Sequence, residues 1–232
     1  PYEAKTCTKC LAWVGELGSE PDPSDYIDHL VEVCRAARRV LRNTGLLWIV
    51  IGDSYVGSGR GPTGKNGLGD HSNRQGFVGG NGRGPSKARG LKAKDLMMVP
   101  ARLAIALQED GWYLRSDIIW SKPAPMPSSV RDRPTLSHEH ILLLSQSRVY
   151  YYDQDAIREP SGRNRLDVWP VASRGTRLNH TATFPEALVE PMILAGSRPG
   201  DTVLDPFCGI GTTGLVALRH GRDFVGIDMS YD

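Results

Sequence analysis

Apolar positions along the chain fall into two spacings, and the spacing marks the elements. Ile27, Leu30, Val31, Cys34, Ala37 and Leu41 recur at the three-to-four-residue interval of one helix face. Asp22-Pro23-Ser24-Asp25 starts this helix, because proline suits a first turn and carboxylates favour the positive end of the dipole; Gly45 ends it. Leu46 to Ile51 is then an unbroken apolar run, the pattern of a strand at the centre of a parallel sheet. Leu96, Val99, Leu103 and Leu107 predict a second helix capped by Asp95 and ending at Gly111, with Pro100 in its first turn or bending it. Trp112–Trp120 and His138–Ser147 read as strands, and the proline-rich stretch between them is too irregular for a crossover helix, so the pair is expected to be antiparallel. Tyr150 to Tyr152 is expected to pack on the sheet as strand aromatics, with base stacking as the competing reading. A helix through Leu188, Val189, Met192 and Ile193 precedes the strand Thr202–Leu204, a glycine turn, a helix over Thr212–His220 stopped by Gly221, and a last strand, Phe224–Ile227, closed by Asp228.

Strands alternating with helices over 232 residues define an α/β domain, one large unit with room for a small recognition appendage. Hydrophobic residues at 40% and charged residues at 23% are ordinary for a globular protein. No apolar run approaches the roughly 20 residues of a membrane span. Four scattered cysteines do not make a disulfide framework, which fits a reducing cytoplasm. Cys7 and Cys10 have the spacing of two zinc ligands, but no second pair completes a structural site and His29 and Cys34 lie in the helix, so no metal is expected. The first residue is Pro1 rather than methionine, which suggests that the natural start is missing.

The net charge of +2 is unevenly spread. Residues 57–94 hold eight basic side chains, twelve glycines and one acid, Asp70, so this segment carries +7 and the rest of the chain −5. Such a segment cannot bury a core. It reads either as a solvated insertion or as an arm that closes on DNA phosphates, with Arg83, Lys87 and Arg89 as contacts. Residues 153–180 form a second arginine-rich stretch. Arg163, Arg165, Arg174 and Arg177 make it the candidate for target recognition, since the guanidinium fork fits guanine edges and phosphates. Arg131 and Arg133 are further candidates between the two strands.

The chemistry concentrates at Asp201-Thr-Val-Leu-Asp-Pro-Phe-Cys-Gly-Ile-Gly-Thr-Thr-Gly214. Gly209 and Gly211 permit a tight turn that brings backbone close to a ligand. In a parallel βαβ unit, a carboxylate at the tip of the second strand, here Asp228, is placed to accept both hydroxyls of a ribose. On these residues alone, a purely structural turn remains the alternative.

The wording of the turn, Asp205-Pro-Phe-Cys-Gly-Ile-Gly-Thr-Thr213, resembles the Asp-Pro-Phe-x-Gly-x-Gly-Thr signature of S-adenosylmethionine-dependent DNA amino-methyltransferases. Thr212 stands where a phosphate-binding lysine would, and Asp205 suits a cationic sulfonium better than a polyanion. Pro1-Tyr2 resembles the second half of the Ser/Asp-Pro-Pro-Tyr motif, in which a fixed carbonyl accepts from the target amino group and the ring stacks on an extruded base. Trp120-Ser-Lys-Pro123 resembles a segment lining the base pocket, with His138-Glu139 as its continuation, and Asp53 is a further candidate there. Thr183-Phe184-Pro185 resembles a segment that closes over the cofactor.

The order, target-base motif first and cofactor turn last, is similar to the beta, circularly permuted class of these enzymes. The resemblance implies a Rossmann-like, mostly parallel sheet with an antiparallel hairpin at one end. It also implies double-stranded DNA as substrate, a flipped cytosine N4 before adenine N6 as acceptor, Pro1 and Tyr2 as catalytic residues, and Thr183, Phe184, Asp205, Phe207, Gly209, Gly211, Thr212 and Asp228 around S-adenosylmethionine. Many such enzymes act beside a cognate restriction endonuclease, and a homodimer stays open. The alternatives are an RNA or small-molecule methyltransferase and an inactive DNA-binding relative.

Overall fold

The computed structural model describes residues 5–7, 13–20, 22–56, 90–125, 128, 130–173 and 184–229. Pro1, Tyr2, Cys10, Arg83, Lys87, Arg89, Arg174, Arg177 and Thr183, with most of the glycine-rich segment, lie outside the described residues. The chain divides into two compact units: residues 1–40 with 51–111, and residues 41–50 with 112–232.

In the first unit, β1 (Lys5–Thr6) and β2 (Trp13–Val14) pair antiparallel, and helix α1 (Pro23–Val40) packs on helix α2 (Val99–Glu109). The helical stripe read from the sequence is the buried one: Ile27, Leu30, Val31 and Cys34 of α1 sit in a core with Leu103, Ala104 and Leu107 of α2. Arg35 bonds the Asp110 carboxylate at 2.6 Å, and Arg38 donates to the carbonyls of Asp110 and Gly111 at 3.2 and 3.4 Å, so cations of α1 meet the electronegative end of α2. Glu20 is fully buried, bonded to the Gly18 amide and to His29 Nδ1, and Trp13 stacks on His29.

The start of α2 corrects the expected cap. Asp95 Oδ2 accepts from the Lys92 amide at 2.8 Å and so closes a turn, while Leu96 bridges to Tyr55 and Met98 takes a left-handed conformation at φ 56°. These constraints delay the helix to Val99, whose amide donates to Asp53 Oδ1 at 3.1 Å. Pro100 fits the second helical position, where no intrahelical donor is needed. Ser54 O accepts from the Met97 amide and Val56 N donates to Asp95 O, joining the two ends of the basic segment at its base.

In the second unit, β3 (Leu46–Ile51), β5 (His138–Ser145), β4 (Tyr113–Ser121) and β6 (Val168–Pro170) form one sheet in the spatial order β3-β5-β4-β6. β3 runs one residue into the first unit. The expected antiparallel pair is β4 with β5, which carry a register shift between Leu114 and Ser116; β6 runs parallel to β4, with Trp169 beside Trp120. Strands β7 (Thr202–Asp205) and β8 (Asp223–Gly226) pair in parallel, and helices α3 (Glu186–Gly196) and α4 (Thr212–Arg219) pack together. This mixture of parallel and antiparallel pairing with helices is the α/β architecture that the alternation of strands and helices predicts.

One core cluster joins Ile118, Trp120, Ile141 and Trp169 of the sheet to Leu188 and Met192 of α3. A second joins Val189 and Ile193 to Val216 and Ala217 of α4. Phe184 packs against both. Tyr150 to Tyr152 departs from expectation: these residues are not in a strand. The Tyr151 amide donates to Thr44 O, Arg198 lies 4.1 Å over the Tyr151 ring, and Arg115 Nε donates to the Tyr150 hydroxyl at 2.8 Å. Polar tethers rather than a ladder hold this segment.

Candidate active site

The turn after β7 is built from its own carboxylates. Asp205 Oδ1 accepts from the Phe207 amide at 3.0 Å, and Oδ2 accepts from the Thr213 hydroxyl at 2.6 Å. Asp205 thus holds both the first bend of the turn and the first turn of α4. From the neighbouring strand, Asp228 Oδ2 accepts from the Gly209 amide at 2.8 Å, while Cys208 N donates to Ile227 O at 3.0 Å. Strand tip and turn are therefore one hydrogen-bonded unit.

Gly209 and Gly211 stand at φ +49° and +79°, and a side-chain carbon at either would meet no atom within 4 Å. Their requirement is conformational, and the space beside them is open to a ligand. Gly214 has a different role: a Cβ there would stand 2.5 Å from the Phe224 ring, so its absence lets α4 lie on β8. Phe207 is exposed at the rim, and Thr212 is half-buried as the first residue of α4. A nucleoside-type cofactor needs backbone close approach, an acidic strand tip and an apolar rim, and these residues fit that need. Thr213 and Gly214 escaped the candidate set, although both lie in the stretch that drew attention: the bond to Asp205 and the fit against Phe224 are tertiary facts.

The second constellation lies where β4 ends. Lys122 follows the last β4 residue, and its Nζ hydrogen-bonds Glu139 Oε1 while lying 4.4 Å over the Trp120 ring. Trp120 Nε1 donates to Val171 O at 2.7 Å, just beyond β6. Pro123 is exposed beside the pair. Glu139, in the segment read as the continuation of Trp120-Ser-Lys-Pro123, is Trp120's direct cross-strand partner.

The remaining candidates spread out. Asp53 belongs to the first unit, where its carboxylate caps α2 and accepts from the Ser54 amide at 2.8 Å. Arg131 is exposed, and Arg133 donates to Pro134 O. Arg163 is exposed in a loop braced by Arg158, which bonds Asp155, Gly162 O and Asn164. Arg165 lies 4.6 Å over the Trp169 ring.

The fold is of the Rossmann-like methyltransferase class. A family model described as DNA methylase, of the N6/N4 methyltransferase type, matches residues 1–232. The chain is 47% identical over 226 residues to the Type II methyltransferase M.SmaI of Serratia marcescens, spanning 93% of this chain and 74% of that protein. Its fold matches the PvuII DNA methyltransferase (cytosine-N4-specific) with a TM-score of 0.67 at 19% identity, over 90% of this chain and 67% of that one. It also matches a Thermus thermophilus protein, provisionally described as a DNA modification methylase and solved with S-adenosyl-L-methionine, with a TM-score of 0.63 at 24% identity, over 94% and 77% of the two chains. The chain belongs to the N6/N4 DNA methylase family: it is a DNA methyltransferase.

Proposed function

We propose that the chain methylates the exocyclic amino group of a flipped base in double-stranded DNA, N4 of cytosine before N6 of adenine, as the modification half of a restriction-modification pair. The observation that carries this reading is the closed hydrogen-bond system of Asp205, Thr213, Gly209 and Asp228, which leaves open space beside two positive-φ glycines. Phe184, Asp205, Phe207, Gly209, Gly211, Thr212 and Asp228, with Thr183, form the cofactor site. S-adenosylmethionine supplies an electrophilic methyl group on a sulfonium. Asp205 and Asp228 favour the cationic end and the ribose of that ligand, and Phe184 and Phe207 limit water around it.

An arylamine lone pair is delocalised into its ring and attacks poorly. Pro1 and Tyr2 accept from the amino group and stack on the base, drawing the nitrogen toward tetrahedral geometry, and positioning contributes most of the acceleration. Extruding the base costs a few kcal/mol. Arg131, Arg133, Arg163, Arg165, Arg174 and Arg177, with the basic segment 57–94, contact DNA, and residues 153–180 read the target. The name Type II borne by the M.SmaI relative supports a cognate endonuclease acting on the same site. The cytoplasm, where chromosomal DNA lies, is the compartment this reading requires; no helix among the described residues is long and apolar enough to cross a membrane.

The test is incubation of the purified chain with labelled cofactor and duplex DNA, followed by mass spectrometry of the nucleosides. N4-methylcytosine is expected. N6-methyladenine reverses the choice of base, and label in RNA alone overturns the DNA reading.

A further inference from the structure

The glycine turn and the Lys122–Glu139 pair follow the carboxyl ends of β7 and β4, the end at which open α/β sheets bind ligands. The opposite end of the β5-β4-β6 sheet carries a separate set of side chains. Arg115 lies near the amino end of β4, and Arg165 lies three residues ahead of β6, which runs parallel to β4. Arg148 lies three residues past the end of antiparallel β5, the end that pairs with the start of β4. Tyr150 to Tyr152 continue from there, and the Tyr151 amide donates to Thr44 O just ahead of β3.

A bulge aims Arg115. Leu114 pairs with Leu144 and Ser116 with Leu143, so Arg115 is the extra residue of β4 and faces no cross-strand partner. Its Nε donates to the Tyr150 hydroxyl at 2.8 Å and its guanidinium carbon lies 5.6 Å from that ring, a bond that uses one N–H of an exposed side chain's fork. Arg165 is held differently: its guanidinium stacks 4.6 Å over the Trp169 ring, and its buried Nε finds no acceptor among the described residues. An unmet buried donor is destabilising, so stability does not account for an arginine in this place. Tyr152 is close enough to respond to both systems. Burial and Tyr150 raise its hydroxyl above the ordinary tyrosine range while Arg165 pulls the other way, so at neutral pH it stays protonated and can donate. Among the described residues no carboxylate pairs with Arg115, Arg148 or Arg165, whereas Arg42, Arg158 and Arg219 each have one. The result is a strip of donors with aromatic backing, exposed at Arg115, Arg148 and Tyr152, and a row of guanidinium and phenol donors suits successive phosphate oxygens.

We propose that Arg115, Arg148, Arg165 and the Tyr152 hydroxyl bind the phosphate backbone of duplex DNA flanking the recognition sequence, at the end of the sheet opposite the methyl-transfer site. The inference rests on the reading of duplex DNA as substrate and goes beyond it: Arg115, Arg148 and Tyr152 gain a role, and Arg165 contacts backbone rather than a base. The nine residues of β4 span about 30 Å, the length of roughly nine base pairs, so DNA that continues past the target reaches from one end of the sheet to the other. Such contacts position the duplex and carry no sequence information. They make affinity fall with salt, because each neutralised phosphate releases counterions.

The experiment uses the full chain and its mapped recognition sequence in two duplexes, a short one that ends just past it and an extended one with about 20 further base pairs on each side. The double variant Arg115→Gln with Arg148→Gln is expected to bind the extended duplex about tenfold more weakly, equally for the cognate and a scrambled sequence, with little change on the short duplex. The slope of log affinity against log salt on the extended duplex is expected to fall by about one for each arginine removed. Arg115→Lys with Arg148→Lys keeps the charges and is expected to restore most of that slope, which a role in the fold alone would not predict. Arg165→Gln is expected to act in the same direction. Affinity for S-adenosylmethionine serves as the fold control; if Arg165→Gln cannot bind it, the exposed pair Arg115 and Arg148 carries the comparison.

Unchanged affinity and slope on the extended duplex overturn the proposal. Equal losses on the short and extended duplexes overturn it too, since they place these arginines against the recognition sequence itself. A loss confined to the cognate sequence means base reading and does the same. Absence of DNA methylation by the wild type instead defeats the underlying assignment, so the two failures are distinguishable.

Discussion

Asp228 accepts a hydrogen bond from the backbone amide of Gly209, nineteen residues earlier, at 2.8 Å. The acid expected to meet a ribose thus also fastens the glycine turn to the tip of β8. Asp228→Ala removes a charged acceptor and is expected to weaken S-adenosylmethionine binding about 10- to 100-fold, whereas Asp228→Asn keeps an acceptor and loses less. Titration calorimetry with the cofactor measures both.

The Thr213 hydroxyl spans from α4 to Asp205 at 2.6 Å. Thr213→Val keeps the shape and removes the donor, leaving one carboxylate oxygen of a half-buried acid without that bond. A loss of about 1–3 kcal/mol in stability is expected in urea unfolding, with weaker cofactor binding, because the Asp205 bond to Phe207 then lacks its brace.

Two glycines of one turn are expected to fail in different ways. At Gly211, φ +79° with open space around a Cβ makes Gly211→Ala a backbone problem of about 1–2 kcal/mol. At Gly214, the Phe224 ring stands 2.5 Å from a Cβ, so Gly214→Ala separates α4 from β8 at a cost of about 1–3 kcal/mol. Phe224→Leu is expected to relieve the second and not the first, which a double-mutant cycle in denaturant reads.

Burial, helped by the nearby Asp110 carboxylate, pushes the Cys34 thiol up to about 11 from the usual 9.0. The unfolded chain then ionises before the folded one. Stability is full below pH 9, falls as pH rises above it, and the fall is complete past the folded value near 11. Stability measured at pH 8 and 10 is expected to drop, and Cys34→Ala is expected to flatten that slope. Tyr26, raised to about 12 by burial and Glu20, adds its own loss only above pH 10.

What the sequence by itself determined is what local chemistry dictates. The α1 stripe is legible because burial and the helical period select the same positions, and the β7-turn-α4 unit because glycine adopts the left-handed conformation of its turn without strain. The family signature lies inside that one short stretch.

Tertiary structure decided the pairings, since each joins residues whose meeting depends on strand register and helix packing. Asp53 rather than Asp95 takes the Val99 amide, forty-six residues away, because a strand bridge and the left-handed Met98 delay the helix. Glu139 meets Lys122 across seventeen residues, because the β4–β5 register places it opposite Trp120. Tyr150 to Tyr152 left the sheet because arginines and a backbone tether offered partners that no local pattern reveals.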